Sequence, residues 1–211
     1  MLEIYRNYIF DMDGTLIDST PTHIKAFNNA ISFSNKSSEI SFDYEVMKGK
    51  RTLDVMIELG FNNIEAKRLT KIKQDSYREY FRNGEVNLFN GVIDCFKLIK
   101  NKNLGLFICT GASRHSTEMI LKKFDLLTYV DDFITGSDVD VAKPDPKILN
   151  TLLKKNNLVR ENCLFIEDSE NGKLCGARAE VDTVIVNNPQ LKTSTDFNTF
   201  YDFYINLKEC L

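Results

Sequence analysis

The chain has 211 residues, of which 43% are hydrophobic and 27% are charged, so it has the material for one sizeable core and is not a disordered chain. Its 27 basic and 30 acidic residues give a net charge of -3, which excludes the global positive field that holds a nucleic acid. No apolar run approaches the ~20 residues that span a bilayer, and the first residues form no basic-then-apolar leader, so we expect a cytoplasmic protein without a membrane or nucleic-acid partner.

The first predicted element is a short apolar strand at residues 8–10, and a helical interval follows it. From about residue 18 to residue 86, apolar residues recur at helical spacing and no convincing central strand is present. One helix begins behind Ser19, Thr20 and Pro21, a second stops at Gly60, and a longer one follows. We therefore predict an inserted α-helical domain at 18–86, within a core formed by residues 1–17 and 87–211.

Strands and helices alternate in the rest of the chain. The predicted strands are 104–109, 133–135, 163–166 and 183–186, and the predicted helices between them are 91–101, 113–124, 146–155 and 171–179. Alternation of this kind builds a parallel sheet with helices on both faces, so the expected fold class is α/β, doubly wound and Rossmann-like. A closing helix is expected after Thr193 and Asp196, which are spaced as a capping box.

The cysteines and histidines limit the metal chemistry that is available. Five cysteines without a CxxC pair are best explained as free, mostly buried thiols in a reducing compartment. Two histidines are too few for a three-histidine zinc site. A metal would therefore be held by carboxylates, which favours a hard cation such as Mg²⁺.

Two aspartates follow the first strand directly. Asp11 and Asp13 are spaced i and i+2, so they point the same way if the chain stays extended. Two like charges ~4 Å apart repel by roughly 4 kcal/mol at an effective dielectric near 20, so the pair favours a cation or a shared proton. Taken alone, this sequence is equally typical of an Asp-Gly turn that closes a strand.

A hydroxyl residue and a glycine end the second core strand. Thr110 and Gly111 are followed by Ala112 and by Ser113, which opens the next helix. A hydroxyl with free backbone amides at a helix start can bind an anion. Threonine and glycine after a strand also commonly form an ordinary turn, so this signal is weak by itself.

Charged residues follow the next two strands. Lys143 lies at the start of the helix near residue 146, and Glu167 and Asp168 end the fourth core strand. A single lysine is usually a solvated charge, and acids at a helix start are usually caps. Two acids directly after an apolar strand can also hold a metal over the edge of a sheet.

All four features fall at strand ends on the same side of the predicted sheet, where open α/β sheets bind ligands. Together they supply a carboxylate pair, an anion-binding turn, a cation and acidic metal ligands. This combination favours metal-assisted phosphoryl transfer over the separate structural explanations.

The same residues resemble the four ordered motifs of the haloacid dehalogenase superfamily. These are the run from Asp11 to Leu16, then Thr110, then Lys143 with Pro144, and finally Glu167 to Ser169. The segment from Lys143 to Ala179 is similar throughout to the phosphoglycolate phosphatase and β-phosphoglucomutase branch, and the helical insertion resembles the cap domain of that branch. One departure is Glu180, where relatives usually carry glycine.

The resemblance implies a role for each motif residue. Asp11 would be the nucleophile, and Asp13 the general acid and base, starting the cycle protonated. Thr110 and Lys143 would hold the phosphoryl group. Mg²⁺ would be bound by Asp11, Asp13 through its carbonyl, and Asp168, with Glu167 beside it.

The cap is expected to move on hinges near residues 18–22 and 84–90 and to choose the substrate. Candidate substrate-binding residues are the turn residues Gly111 and Ala112, Arg114 beside them, His23 past the first hinge, and Lys50 and Arg51, which with Lys48 flank Gly49. The charged residues among them are equally explained as solvated surface groups, and His23 as a satisfied helix histidine.

The expected function is a Mg²⁺-dependent phosphatase that acts on a small phosphorylated metabolite, such as a sugar phosphate, through an aspartyl-phosphate intermediate. We expect the chain to act as a monomer. The motifs leave open a phosphomutase of the β-phosphoglucomutase kind. A non-catalytic phosphoacceptor or a module that only binds a phosphometabolite is a more distant alternative.

Overall fold

The computed structural model describes residues 2–36 and 38–211, without the side chain of Glu3. Met1 and Ser37, which fall within the predicted domain ranges, lie outside the described residues. None of the helices in the described chain is long and apolar enough to cross a membrane. Four of the five free cysteines are buried, and Cys210 is partly exposed.

The strands form one large sheet and one small ribbon. In chain order they are β1 (Asn7–Phe10), β2 (Ile17–Asp18), β3 (Asn87–Leu88), β4 (Gly105–Thr110), β5 (Asp132–Thr135), β6 (Cys163–Glu167) and β7 (Asp182–Ile185). The large sheet has the order β5-β4-β1-β6-β7, and all of its neighbouring strands are parallel. Strand β1 is central, and Phe10 at its end is in register with Ile108 and Ile166. The carboxyl ends of the three central strands therefore meet at one edge.

The helices are, in chain order, α1 (Thr20–Ser32), α2 (Tyr44–Met47), α3 (Thr52–Glu58), α4 (Asn63–Arg82), α5 (Val92–Asn101), α6 (Arg114–Lys123), α7 (Lys147–Lys155), α8 (Glu170–Arg178) and α9 (Phe200–Cys210). Alternate residues of β1 face opposite layers, because successive side chains of a strand point to opposite faces. Tyr8 and Phe10 lie in one buried cluster with residues of α5 and α9, and Ile9 lies in a second with residues of α7 and α8. This arrangement confirms the predicted α/β fold with a sheet covered on both faces.

Helices α1 to α4 follow one another without a strand of the large sheet between them. They share a buried cluster that includes Phe27, Met56 and Leu69. Strands β2 and β3 pair antiparallel at the two ends of this segment, and Thr22 Oγ1 donates a hydrogen bond to the backbone oxygen of Glu85 at 3.1 Å. The two chain crossings between the helical segment and the core thus lie side by side.

The closing helix begins later than the sequence spacing indicates. Its capping box is formed by Thr199 and Asp202, and the helix starts at Phe200. Asp196 instead accepts hydrogen bonds from Thr193 and from the backbone amide of Ile185 at 2.7 Å. The predicted capping box at Thr193 and Asp196 is therefore wrong, because these residues fasten a loop to the end of β7.

The departure from the family pattern at Glu180 lies at a strained turn. Glu180 has a φ of 57°, in the left-handed region that favours glycine. Its side chain is 80% exposed, and its nearest cationic partner is Arg160 at 3.5 Å. An exposed ion pair of this kind contributes little to stability. Glu180 in the turn before β7 thus has the left-handed backbone conformation that glycine adopts most readily.

We predict that Glu180→Gly stabilises the protein by about 0.5 kcal/mol, because relief of the left-handed strain exceeds the added entropy of the unfolded chain. Thermal denaturation measures the change. Glu180→Ala is the matched control, since it removes the side chain and keeps the strain, and it should not raise the melting temperature. A glycine variant no more stable than the alanine variant would contradict the prediction.

Candidate active site

The site is built around Asp11, the first residue after β1. Its backbone amide donates to the carbonyl of Ile166 at 2.9 Å, which extends the β1–β6 pairing by one residue. Its side chain is 4% exposed at the carboxyl edge of the sheet. This edge is where parallel α/β sheets present ligand-binding groups.

Lys143 joins the central strands from below the cleft. Its ammonium donates to Asp11 Oδ1 at 2.7 Å, to Glu167 Oε1 at 2.7 Å and to the carbonyl of Cys109 at 3.0 Å. Burial alone would lower the pKa of Lys143, but the charges of Asp11 and Glu167 hold it well above its usual value. The lysine is therefore a fixed positive charge beside the Asp11 carboxylate.

Glu167 is enclosed by hydrogen-bond donors. Its Oε2 accepts from the backbone amides of Asp168 and Ser169 and from Ser169 Oγ, each at 2.9 Å, while Oε1 faces Lys143. A Cβ at Gly172 would lie 1.8 Å from the Glu167 carboxyl carbon, so the first turn of α8 passes directly over it. Since both oxygens are engaged, the contacts of Glu167 favour orienting Lys143 over binding a ligand.

Asp168 is buried beside the same cluster. Its Oδ1 accepts from Thr15 Oγ1 at 3.3 Å, and its Oδ2 lies 2.5 Å from the Nζ of Lys48 in an ion pair outside hydrogen-bond geometry. Gly14, with a φ of 84°, lets the backbone pass against this carboxylate, because a Cβ there would lie 2.0 Å from Oδ2. Burial and the charge of Glu167 raise the pKa of Asp168 to about 7, against the opposing charge of Lys48.

The acidic cluster fits a divalent cation. One carboxylate oxygen from each of Asp11, Glu167 and Asp168 lies within 4.8 Å of the others. Burial raises the pKa of Asp11 well above its usual value, and the charges of Glu167 and Asp168 add to this effect against that of Lys143. Asp168 Oδ2 is buried without a hydrogen bond from the described residues. Oxygen ligands of this kind suit a hard cation, and Asp11 and Asp168 are the two with oxygens left to bind one.

Asp13 faces the helical segment, away from Lys143. Its Oδ1 accepts from Ser19 Oγ at 2.7 Å, from His23 Nε2 at 2.9 Å and from the hydroxyl of Tyr77 at 3.2 Å. Burial would raise the pKa of Asp13, but the charge and hydrogen bond of His23, followed by the bond from Ser19, lower it to about 2. Asp13 is therefore a carboxylate here, in contrast to the protonated starting state expected from the sequence.

A buried lysine lies behind His23. Lys73 of α4 is 4% exposed, and its Nζ lies 2.6 Å from His23 Nδ1. Its ammonium also lies 4.6 Å from the ring centre of Phe27 and 5.1 Å from that of Tyr77. Burial lowers the pKa of Lys73 to about 7. Burial also lowers the pKa of His23, and the nearby charge of Lys73 lowers it further.

The turn after β4 provides the hydroxyl and amides that the sequence indicates. Thr110 is buried, and its Oγ1 accepts from the Ala112 amide at 3.1 Å. Ser113 caps α6 by accepting from the Ser116 amide. The next residue, Arg114, is turned away from the cleft and pairs with Asp138 at 2.7 Å.

The loop between α2 and α3 closes the cleft from above. Asn171 Nδ2 donates to the carbonyl of Lys48 at 2.8 Å, and Arg51 Nη1 donates to the carbonyl of Val139 at 2.9 Å. A Cβ at Gly111 would lie 2.8 Å from the Gly49 carbonyl oxygen, so the two loops are in close contact. The cavity beneath them has a volume of ≈ 60 Å³, which holds a few water molecules. A phosphorylated substrate can enter only if this loop moves.

The cleft brings together most of the predicted site residues. Those that line it are Asp11, Asp13, His23, Lys50, Thr110, Gly111 and Ala112, while Lys143, Glu167 and Asp168 lie in the buried layer beneath. The Lys50 ammonium is 2.7 Å from Glu58. The Arg51 guanidinium pairs with Asp54, also at 2.7 Å. Arg51 and Arg114 do not line the cleft, so their predicted contact with substrate lacks support in this arrangement.

Other residues of the cleft were not selected from the sequence. Among them are Tyr44, Lys73, Gln74, Tyr77 and Ser116. Tyr77 fitted the apolar periodicity of its helix, and Lys73 is one of several lysines in α4. Lys48 also lines the cleft, as expected for one of the basic residues around Gly49 that could meet a polar or anionic end of a substrate. The spacing of Lys73 and Tyr77, four residues apart on one helix, is a local signal that this helix face is polar.

Comparison with known proteins gives a consistent result. The sequence profile of the haloacid dehalogenase-like hydrolase family matches residues 8–186. The chain is 30% identical over 209 residues to the pyrophosphatase PpaX of Oceanobacillus iheyensis, covering 95% of this chain and 91% of that protein. It is 25% identical over 183 residues to the phosphorylated carbohydrates phosphatase of Thermotoga maritima, covering 83% of this chain and 82% of that one.

A solved structure supports the fold. The β-phosphoglucomutase of Clostridium difficile superposes with a TM-score of 0.83, over 98% of this chain and 96% of that one, at 20% identity. The family profile spans most of the chain, including Asp11, Lys143, Glu167 and Asp168, which meet at the carboxyl edge of the sheet. The chain therefore belongs to the haloacid dehalogenase-like hydrolase family and is a hydrolytic enzyme.

Proposed function

We propose that this hydrolase is a Mg²⁺-dependent phosphatase of small phosphorylated metabolites that acts through a phosphorylated Asp11. The observation that carries the proposal is the pairing of Asp11 with Lys143 at 2.7 Å, on the floor of a closed cleft, beside a carboxylate cluster that fits a divalent cation. Carboxylates attack phosphorus only where positive charge offsets the repulsion between two anions.

The first step transfers the phosphoryl group to the protein. An oxygen of Asp11 forms the bond to phosphorus as the bond from phosphorus to the leaving oxygen breaks. Lys143 holds the carboxylate in place and offsets negative charge, and the amides after Thr110, which line the cleft, would bind phosphoryl oxygens. Because Lys143 is fixed by Glu167 and Cys109, little reorganisation accompanies the step.

The second step is hydrolysis of the aspartyl phosphate. Asp13 takes a proton from water, whose oxygen bonds to phosphorus, and inorganic phosphate and free Asp11 result. The three hydrogen bonds to Asp13 keep it ionised, which is the form that a base requires. Its acid role toward the leaving oxygen needs a proton on Asp13, so we infer that substrate binding changes its contacts with Ser19 and Tyr77.

Asp11 and Asp168 would hold Mg²⁺, together with the carbonyl of Asp13 that the family resemblance adds. When bound, the ion neutralises charge on the transferring phosphoryl group. Glu167 keeps Lys143 in position and binds the turn that carries Asp168.

The substrate is a small phosphomonoester such as a sugar phosphate. The relatives named as a pyrophosphatase and a carbohydrate phosphatase support a compact, polar phosphorylated compound, as does a cleft lined by Lys48, Lys50 and Lys73. A screen should include sugar phosphates, phosphoglycolate and pyrophosphate. It should measure the phosphate released and its dependence on Mg²⁺.

A phosphomutase is the second candidate. The observation that favours it is the burial of Asp11, 4% exposed under the closed loop, which limits the access of water to a phosphoryl group there. Isomerisation of β-glucose 1-phosphate in the presence of a sugar bisphosphate, without release of phosphate, would replace the phosphatase proposal with this one.

Asp11→Asn is predicted to reduce turnover on the order of a thousandfold or more, because an amide cannot form the acyl phosphate. Steady-state phosphate release and acid-stable labelling of the protein by radioactive substrate measure the loss. The control is Asp94→Asn, an exposed aspartate on α5, which should keep wild-type activity. Ordinary turnover by the Asp11 variant would refute its nucleophilic role.

Removal of one metal-binding charge should be visible without an assay of turnover. Asp168→Asn keeps the shape of the side chain, and we expect it to weaken Mg²⁺ binding by about tenfold or more, the factor that ~1.4 kcal/mol represents. Isothermal titration calorimetry with Mg²⁺ alone gives the dissociation constant. An unchanged constant would count against Asp168 as a ligand.

Lys73→Met should stabilise the protein and reduce substrate affinity. The unfolded chain binds a proton at Lys73 up to about pH 10.5 and the folded chain only up to about pH 7, so wild-type stability rises with pH through this window. The gain from the substitution, on the order of 5 kcal/mol below pH 7, should therefore largely disappear as the pH approaches 10. Urea unfolding across this range measures it, and a gain independent of pH would contradict the assigned cause.

A further inference from the structure

One cap residue reaches past the cleft to the metal-binding carboxylate. Lys48 lies in the loop between α2 and α3 and is 8% exposed. Its Nζ is 2.5 Å from Asp168 Oδ2. This is the oxygen that receives no hydrogen bond from the described residues. The ammonium of Lys48 therefore neutralises the oxygen best placed to bind a cation.

The backbone around Lys48 is held next to Asp168. Its carbonyl accepts from Asn171 Nδ2 at 2.8 Å, and Asn171 lies in the first turn of α8. A Cβ at Gly49 would lie 2.8 Å from Ser169 Oγ, so the chain after Lys48 rests on the residue that follows Asp168. The ion pair is thus part of a continuous contact between this loop and the end of β6.

The side chain of Lys48 has an alternative place. A second cleft of ≈ 520 Å³ opens on the other side of Lys48 and is lined by Asp18, Glu45 and Asn187, among others. Glu45 Oε2 already lies 3.9 Å from the Lys48 ammonium, and its side chain is 57% exposed. Lys48 can therefore leave Asp168 and retain a carboxylate partner.

We propose that Lys48 is a counter-ion carried by the cap that competes with the divalent cation for Asp168, so that metal binding and cap contact oppose each other at this oxygen. The inference rests on the proposed function, because it takes Asp168 as a metal ligand. An ammonium and a divalent cation repel each other at hydrogen-bond distance from one carboxylate oxygen, so both cannot occupy it. The cation must displace Lys48, and this displacement weakens metal binding.

The test compares two lysines of the same loop. Lys48→Met removes the competitor, and we expect it to tighten binding of Mg²⁺ alone by roughly tenfold, measured by isothermal titration calorimetry. Lys50→Met is the matched control. It removes the same charge two residues away, but Lys50 pairs with Glu58 and not with Asp168, so its dissociation constant should stay within about twofold of wild type. Equal constants for the two variants overturn the proposal.

Wild-type protein provides a second measurement that does not depend on the folding of a variant. Displacement of Lys48 removes one anchor of the loop, so Mg²⁺ should speed amide hydrogen exchange in residues 44–51. Exchange that is unchanged or slower on addition of Mg²⁺ counts against the proposal. Thermal denaturation gives a third measurement. The proposal predicts that Lys48→Met melts at a lower temperature than wild type without metal, and that Mg²⁺ raises its melting temperature by more than it raises that of wild type.

Failure of this inference can be told apart from failure of the proposed function. If the wild-type chain does not bind Mg²⁺, both are overturned. If the wild type binds Mg²⁺ and Asp168→Asn weakens the binding, while Lys48→Met matches Lys50→Met, the metal site stands and only the competition is refuted.

Discussion

The buried contact of Lys143 with Asp11 and Glu167 is the constraint on which the rest of the site depends. Removing a lysine and two carboxylates from water is costly, and only close pairing offsets that cost. The ammonium reaches the end of β1, the last residue of β6 and a carbonyl of β4. It therefore fixes the ends of the three central strands relative to one another. Loss of either carboxylate would leave a buried charge without its partner.

The strands beneath this polar layer are packed between apolar side chains. The strands beneath it alternate between two buried clusters, one that includes Phe10 and one that includes Ile9. Close-packed layers of this kind resist deformation. The groups of the candidate site are thus carried by loops whose starting points are rigid. The helical segment α1 to α4 is joined to the core at the paired strands β2 and β3.

The core and its motif residues could be predicted because they follow from local pattern. Asp11, Thr110 and Asp168 each come directly after an apolar strand, and parallel strands bring such positions to one edge. The bond from Lys143 to Asp11 spans 132 residues, yet the prediction of a parallel sheet with alternating helices placed both at that edge. The same reasoning could not reveal that the Glu167 carboxylate is hydrogen-bonded by the residues that follow it, because these bonds depend on the path of α8 over Glu167.

The structure of the cap was harder to predict. Helical periodicity indicates which face of a helix is buried, but it does not indicate whether that face packs against other apolar residues or lines the cleft. Ile64 fits the helical spacing of α4 and is 85% exposed. Tyr77 fits the same spacing and donates to Asp13. In the basic turn, Lys48, Lys50 and Arg51 are alike in composition, and only the direction in which the loop leaves α2 sends Lys48 inward. The protonation of Asp13 likewise depends on partners from α1 and α4.

The lysines of the cap also change the net charge around the acidic cluster of the core. The core alone presents Asp11, Asp13, Glu167 and Asp168 against the single ammonium of Lys143, a field that repels a phosphate dianion. Closing the cap adds Lys48 and Lys73, whose pKa burial lowers to about 7, while burial and the charge of Lys73 lower the pKa of His23. Even then the four acidic groups outnumber the three lysines, a balance that a bound divalent cation would offset. Because low dielectric strengthens each of these charge interactions once water is excluded, a substrate dianion gains most where the cation has replaced Lys48 at Asp168.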